Sequence, residues 1–495
     1  MDNIKKQLKI YMLTKSDFMK YIECPAYLWL SRYMPDSLPE DTPEMERIFA
    51  MGREVDELSK KLFAGGVQIN GYNQEGWENT KKALAKEEKA LFQPTVVADP
   101  LACRADILTK SKKGDTWDIN EVKMATAVKE EYIYDVGFQR ICFENAGIKI
   151  DRTIIVHINR DYIRHGEIEI DKLFISEDIT NKVDEKLPEI KKEIEKALEV
   201  LKIKNRVDLQ LIESCNNPKR CEYLECYCKE NSEIYSLVDK ISPKHLLALL
   251  DREILNPEKI QPDILKSVEY KPKEKFTRID AIAIKKEIEK LEYPLYFFDY
   301  ETYGAAIPPF DGTRPYQQIP FQYSLMKKDS PTAPIQHTEF LMRRFENPVP
   351  ELLAQLKRDI GPKGSVIVWF ALFEMTRNKE MAKMEPASAD FLESLNRRIF
   401  DLMLIFQFKN QMYVKSEFKE LASLKIILPV LCPELSYDNL VIHEGGEASA
   451  SWSVLTSDKT LAKEKLEIEK NMLAYCKRDT EAMVGILNRV IEDIK

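Results

Sequence analysis

Asp299 and Glu301 close an apolar run from Tyr293 to Glu301, YPLYFFDYE. A short apolar run with its acids at the end predicts a buried strand, in which residues i and i+2 face the same side. Both carboxylates therefore look into one space. Without a cation they repel, and at least one must take up a proton. A divalent metal pair removes that conflict and supplies chemistry, one ion activating a water and the other stabilising the leaving oxygen. Far downstream, in AYCKRDTEAM, Tyr475 and Asp479 are four apart and share one face of the last predicted helix. Asp479 can close the metal site there, and the Tyr475 hydroxyl can position the attacking water. Between these two sets, Glu374 starts a predicted helix after the apolar strand VIVWF, and Asp401 follows in RIFDLMLIF. Each fragment alone is a common surface pattern; their order carries the weight.

A second set lies in the first half. The β-rich runs VVADPLACRADILTK and DTWDINEVK, joined by Ser-Lys-Lys-Gly-Asp, predict one hairpin. One strand carries Asp106; the other carries Glu121 and Lys123, two apart and on one face. Two metal-holding acids with an ammonium to orient water suit phosphodiester hydrolysis, whereas the bland reading is a cross-strand salt bridge. The predicted helix from Glu130 to Ala146 carries Gln139. Residues 44–63 predict an amphipathic helix with Val55, Leu58 and Leu62 on one face and the acids Glu54 and Glu57 on it.

Nine cysteines, an odd number in a long chain, argue against a disulfide framework. Cys215, Cys221, Cys226 and Cys228 crowd into SCNNPKRCEYLECYC without the paired C-x2-C spacing usual for zinc. Three of them with the distant Cys24, beside Pro25 at a predicted helix break, make a four-thiolate iron–sulfur site, with zinc as the alternative.

The positions of these residues set the organisation. At 495 residues the chain exceeds one core. Residues 236–290 are charged and punctuated by Pro243, Pro257, Pro262 and Pro272, which predicts a connector between modules at 1–235 and 291–495. A net charge of −8 argues against a sequence-blind basic coat for nucleic acid while leaving room for a local basic groove. No apolar run approaches the ~20 residues of a membrane span, and the N-terminus lacks a secretory core, so the expectation is a soluble, cytoplasmic protein without membrane contact. The sequence leaves the oligomeric state open.

KSDFMKYIECPAYLWL, Asp106 with Glu121-Val-Lys123, VGFQRICFENAG and the late cysteines resemble the RecB-type nucleases of the PD-(D/E)xK class. The resemblance is to iron–sulfur exonucleases such as the CRISPR-associated four-cysteine nuclease. It implies a restriction-endonuclease-like α/β domain with Asp106, Glu121 and Lys123 as the catalytic centre, assisted by Gln139. Glu57 would be the first-motif acid, ahead of Glu54. The cluster would rest on Cys24, Cys215, Cys221 and Cys228, with Cys226 as rival to Cys228. From 291 onward the ordered set Asp299, Glu301, Glu374, Tyr475 and Asp479 resembles the tyrosine subgroup of DEDD exonucleases (DEDDy) in the ribonuclease H-like, DnaQ-like superfamily. Glu374 stands where that superfamily has Asp. The whole resembles a prokaryotic family that fuses the two nuclease modules. The implied activity is Mg²⁺- or Mn²⁺-dependent hydrolysis of DNA ends, 3′–5′ in the second module, in repair or defence. RNA as substrate, or a nucleic-acid-binding scaffold with one or both centres inert, is the alternative. Phe310, Tyr316 and Phe321 are candidates to stack bases, and Ser423 and Lys425 to contact a phosphate, although core packing, capping and solvation are their ordinary uses.

Overall fold

The computed structural model describes residues 12–203, 276–418 and 420–495. Two compact units divide the chain. Residues 41–49 and 163–167 group with the second, which otherwise begins at Lys273, and the rest belong to the first. Both units are mixed α/β with mixed sheets. Residues 41–49 and 163–167 fall within the range 1–235 assigned to the first module by sequence.

In the first unit, β1 (Leu13–Thr14) leads into α1 (Lys15–Glu23) and α2 (Pro25–Tyr33). Thr14 and Asp17 form a capping box that starts α1. The predicted break falls at Cys24, whose extended backbone ends α1 and places Pro25 at the first position of α2. Next come α3 (Pro43–Ser59), β2 (Val67–Gln68), α4 (Asn73–Ala85) and β3 (Ala90–Phe92). The predicted single hairpin is divided. Its first run splits at Asp99-Pro100 into β4 (Thr95–Ala98) and β5 (Leu101–Arg104), which pair with each other. Only β6 (Ile107–Lys110) and β7 (Trp117–Lys123) pair across the predicted turn, where Gly114 takes a φ of +94° that favours glycine. Asp106 thus sits on the bend before β6, not within a strand.

The unit is completed by α5 (Glu130–Asn145), β8 (Ile150–Ile158), α6 (Ile170–Leu173), β9 (Phe174–Asp178) and α7 (Thr180–Val200). The main sheet runs β2-β3-β6-β7-β8-β9, with β7 and β8 parallel and joined by α5. A parallel pair needs such a crossover, and it buries α5. Phe138, Gln139, Cys142 and Phe143 are wholly buried, and Phe138 stacks on Phe18 of α1 at 4.9 Å. Gly137 permits the close approach of α7: a Cβ there would lie 2.4 Å from Ile190 Cδ1.

In the second unit, β10 (Thr277–Ile279) and α8 (Ala281–Ile288) precede β11 (Leu295–Tyr303), β12 (Ile319–Lys328) and β13 (Ile335–Leu341). They are followed by α9 (Val349–Asp359), β14 (Ser365–Val368), α10 (Ala371–Met384), α11 (Ala389–Arg397) and β15 (Ile399–Asp401). The chain ends with β16 (Tyr413–Lys415), α12 (Leu424–Leu431), α13 (Gly445–Thr456) and α14 (Ala462–Asp493). The sheet order is β13-β12-β11-β14-β15; β12 is antiparallel to both neighbours, and β11, β14 and β15 run parallel. Residues 277–288, expected in the connector, form elements of this unit, since β10 pairs with β16. Residues 236–275 of that connector lie outside the described residues. One face of β11 sends Phe298 and Tyr300 into a core closed by Leu352, Leu356, Val366 and Leu395. The alternate face carries Asp299 and Glu301. Among the described residues, no helix is long and apolar enough to cross a membrane.

Candidate metal and catalytic centres

In the second unit, Asp299, Glu301, Glu374, Tyr475 and Asp479 all line one cavity of about 470 Å³. Strand periodicity brings the first two together, as expected from their spacing, and a bulge after Glu301 shifts the register of pairing with β12. Tyr475, Cys476 and Asp479 come from the buried stripe of α14. Glu374 enters from the first turn of α10. That helix starts abruptly: Phe370, the residue before it, has a φ of +118°, strained for a side chain of this size. Asp401 accepts hydrogen bonds from the Ala371 and Met403 amides at 3.1 Å each, so it serves as a cap.

The four acids are short of positive charge. Burial, then Asp479, Glu301 and Glu374, raises Asp299 well above the ordinary carboxylate range. Burial and Asp479 do the same to Glu301, and burial pushes Glu374 up to about 8. Burial raises Asp479 to about 6 against the opposing Tyr437 hydroxyl, which donates to it, and Lys425. Glu374 is 3% exposed, and its Oε2 has no hydrogen-bond partner among the described residues. Donor atoms of Asp299, Glu301 and Cys476 lie within 4.8 Å of one another. Clustered acids that resist ionisation, one with an orphaned buried oxygen, fit a divalent cation. Lys425 acts on Glu301 and Asp479 through space and lies 5.9 Å from the Tyr475 ring centre. Tyr437 and Cys476 were not named as site residues from the sequence, and Lys425 only as a candidate phosphate contact; helical spacing from Asp479 would have found Cys476.

The aromatic assignments move. Phe321 is wholly buried and stacks on Trp452, and Phe310 packs on Phe345. Neither these nor Tyr316 lines the cavity; Trp369, Phe370 and Phe373 do, with Phe370 47% exposed. Alternation along β12 turned Phe321 inward toward α13, whereas the turn between β14 and α10 leaves aromatic residues at the opening.

The raised carboxyls of this centre give the sign of its contribution to a pH effect. Carboxyls with folded pKa values above their unfolded ones bind more protons when folded, so stability falls as pH rises through that interval. In chelator, the thermal midpoint is expected to fall by several degrees between about pH 4 and pH 8, and Asp479→Asn to flatten the slope. Differential scanning calorimetry across this range checks it; a midpoint that rises toward pH 8 would contradict the assignment.

In the first unit, Asp106, Glu121, Lys123 and Gln139 are brought together. The Asp106 Oδ2 accepts from the Val122 amide at 2.8 Å. The Glu121 Oε1 pairs with both Lys123 and Lys15 at 2.8 Å, while its Oε2 accepts from the Gln139 amide at 2.8 Å. Asp135 joins the cluster, 2.5 Å from the Lys123 Nζ, 3.6 Å from the Lys15 Nζ and 2.9 Å from the Gln139 Nε2. Burial opposes ionisation of Glu121, but Lys123 and Lys15 outweigh it and hold the carboxyl well below its ordinary range. Burial and the Glu121 charge push Asp106 up to about 7. Sequence reasoning missed Lys15 and Asp135, since neither stands in a spaced motif with Glu121.

One expected member is displaced. The Glu57 side chain is 70% exposed and pairs with Lys60. Asp56, one position earlier, is the acid whose field reaches Asp106; its Oδ2 accepts from Gln93 at 3.0 Å, and its Oδ1 is buried without a partner. A one-residue step turns a helix by about 100°, enough to exchange solvent for site. Glu54 is also exposed. Cys24 is buried and free, whereas Cys215, Cys221, Cys226 and Cys228 lie outside the described residues.

Residues 296–423 match the model of a domain of unknown function, DUF2779. That stretch contains Asp299, Glu301 and Glu374 but stops short of Tyr475 and Asp479. The chain is also similar to an uncharacterized protein, the MG366 homolog of Mycoplasma pneumoniae, at 24% identity over 220 residues. The match covers 40% of this chain and 32% of that protein, so the chain spans about a third of its relative's length.

Proposed function

We propose that the chain is a metal-dependent nuclease in which the second unit, a ribonuclease H-like exonuclease domain of the DEDDy type, carries hydrolysis, and the first is a PD-(D/E)xK-like domain. The observation that carries this is the convergence of Asp299, Glu301, Glu374, Tyr475 and Asp479 on one cavity from β11, α10 and α14. The sheet order, with its second strand alone antiparallel, supports the fold reading. In the first unit, the buried cluster of Asp106, Glu121, Lys123 and Gln139 beside a parallel β7-α5-β8 crossover does so.

Mg²⁺ or Mn²⁺ held by Asp299, Glu301 and Asp479, with Glu374 lining the same cavity, would activate water and neutralise charge gathering on the phosphate. Burial and the neighbouring acids push the Tyr475 hydroxyl far above its ordinary range. In the proposed reaction this hydroxyl orients the water through a hydrogen bond. Lys425 offsets negative charge beside Glu301 and Asp479. Trp369, Phe370 and Phe373 offer aromatic faces for the bases of a single-stranded end. An iron–sulfur cluster, with zinc as the alternative, is proposed for the first unit on its cysteine spacing; visible absorbance after anaerobic purification tests it.

The deciding experiment follows 5′-labelled single-stranded DNA with Mn²⁺, alongside the matching RNA. The expected result is a ladder that shortens from the 3′ end and stops on chelation. The better substrate decides between DNA and RNA. Intact strands of both kinds would overturn the proposal and leave a nucleic-acid-binding scaffold, with the longer Glu374 side chain in place of Asp as the cause of inactivity.

A further inference from the structure

The two centres meet their acids' demand for positive charge in opposite ways. In the second, Lys425 reaches Glu301 and Asp479 only through space, and Glu374 keeps an orphaned oxygen. In the first, two ammonium groups already sit on the acids. Lys15 is the first residue of α1, fixed by the capping box at Thr14 and by pairing of β1 with β5. Its Nζ lies 2.8 Å from the Glu121 Oε1 and 3.6 Å from the Asp135 Oδ1, and its side chain is only 20% exposed. Both Glu121 oxygens are thereby engaged, Oε1 by Lys15 and Lys123 and Oε2 by Gln139. With two ammonium groups on Oε1, a divalent ion approaching Glu121 meets like charge that Lys15 and Lys123 must yield before it can bind well. Lys123 lies on the same strand as Glu121, two residues on, and is also held by Asp135. Lys15 is brought in from a separate element 106 positions away. A cavity lined by Thr14, Lys15, Ser16, Cys103 and Arg104 gives its chain room to withdraw. Gln139, wholly buried, keeps an Oε1 that has no hydrogen-bond partner among the described residues.

We propose that Lys15 is a built-in cation that excludes a divalent ion from the first centre, so that this centre stays metal-free until Lys15 is drawn off Glu121 by a competing anion such as a phosphodiester. This rests on reading Asp106 and Glu121 as potential metal ligands, and its test is binding, independent of hydrolysis. Full-length protein carrying Asp299→Ala and Asp479→Ala, which disable the second centre, is titrated with Mn²⁺ and free ion is followed by electron paramagnetic resonance. The expected result is no tight site in this background and one new site, at least tenfold tighter, on adding Lys15→Gln. Lys15→Arg should leave the site closed, and Asp106→Asn added to Lys15→Gln should abolish it. Circular dichroism confirms that each variant is folded. If the background protein already binds Mn²⁺ through Asp106 as tightly as the Lys15→Gln protein, the exclusion is refuted while the metal-centre reading stands. If Lys15→Gln is folded and binds none, the first centre is no metal site at all and the proposal falls with it.

Discussion

If the proposed function holds, Asp299→Ala is expected to lower Mn²⁺-dependent strand shortening by at least about 1,000-fold, because it removes one of the acids proposed to hold the ion. Two further readouts separate this from misfolding. In chelator, the variant should melt at or above the parent's temperature, since burial and three neighbouring acids already penalise the Asp299 charge. Mn²⁺ should raise the parent's midpoint and leave the variant's unchanged, as expected for an ion that binds only the folded centre. Loss of activity together with a large fall in the chelated midpoint would instead mark Asp299 as structural.

Glu121→Ala should act mainly on stability, lowering it by about 3 kcal/mol, because it leaves the Lys15 and Lys123 ammonium groups facing each other over Asp135. Urea unfolding measures this through the midpoint at constant slope. Adding Lys15→Gln should restore part of the loss by removing one of the two like charges, a coupling that a double-mutant cycle isolates. Glu57→Ala, on the exposed side of α3, should stay within about 0.5 kcal/mol of the parent. A Glu121→Ala protein as stable as the parent would mean that the buried network contributes little.

Residues related by a local period were readable from the chain. Asp299 and Glu301 follow the two-residue repeat of a strand, and Tyr475 and Asp479 the four-residue repeat of a helix, so folding keeps each pair together. Glu374 could be placed because the apolar run before it ends a parallel strand, where the next helix begins. Legibility failed where a choice depended on rotation or on distant partners. Between Asp56 and Glu57 the composition of α3 is indifferent, and only the packing of Val55 and Ser59 decides which acid turns inward. Nothing near Lys15 in sequence announces Glu121; their meeting depends on the whole first unit closing. Likewise Phe321 and Phe370 are equally apolar, and their fates diverge because one is covered by Trp452 and the other sits at a strained strand-to-helix turn. Asp99-Pro100, a turn signal buried inside an otherwise strand-like run, is what divided the expected hairpin.

The length of α14 has a consequence for how the cavity can move. It runs for 32 residues, about 48 Å, and Tyr475 and Asp479 lie more than three turns from either end. Helices unravel from their tips, so this pair is beyond the reach of end fraying and behaves as a fixed post anchored in the hydrophobic interior. Movement of the cavity lining is then expected at the turn before α10, where Phe370 is held in an unfavourable backbone state.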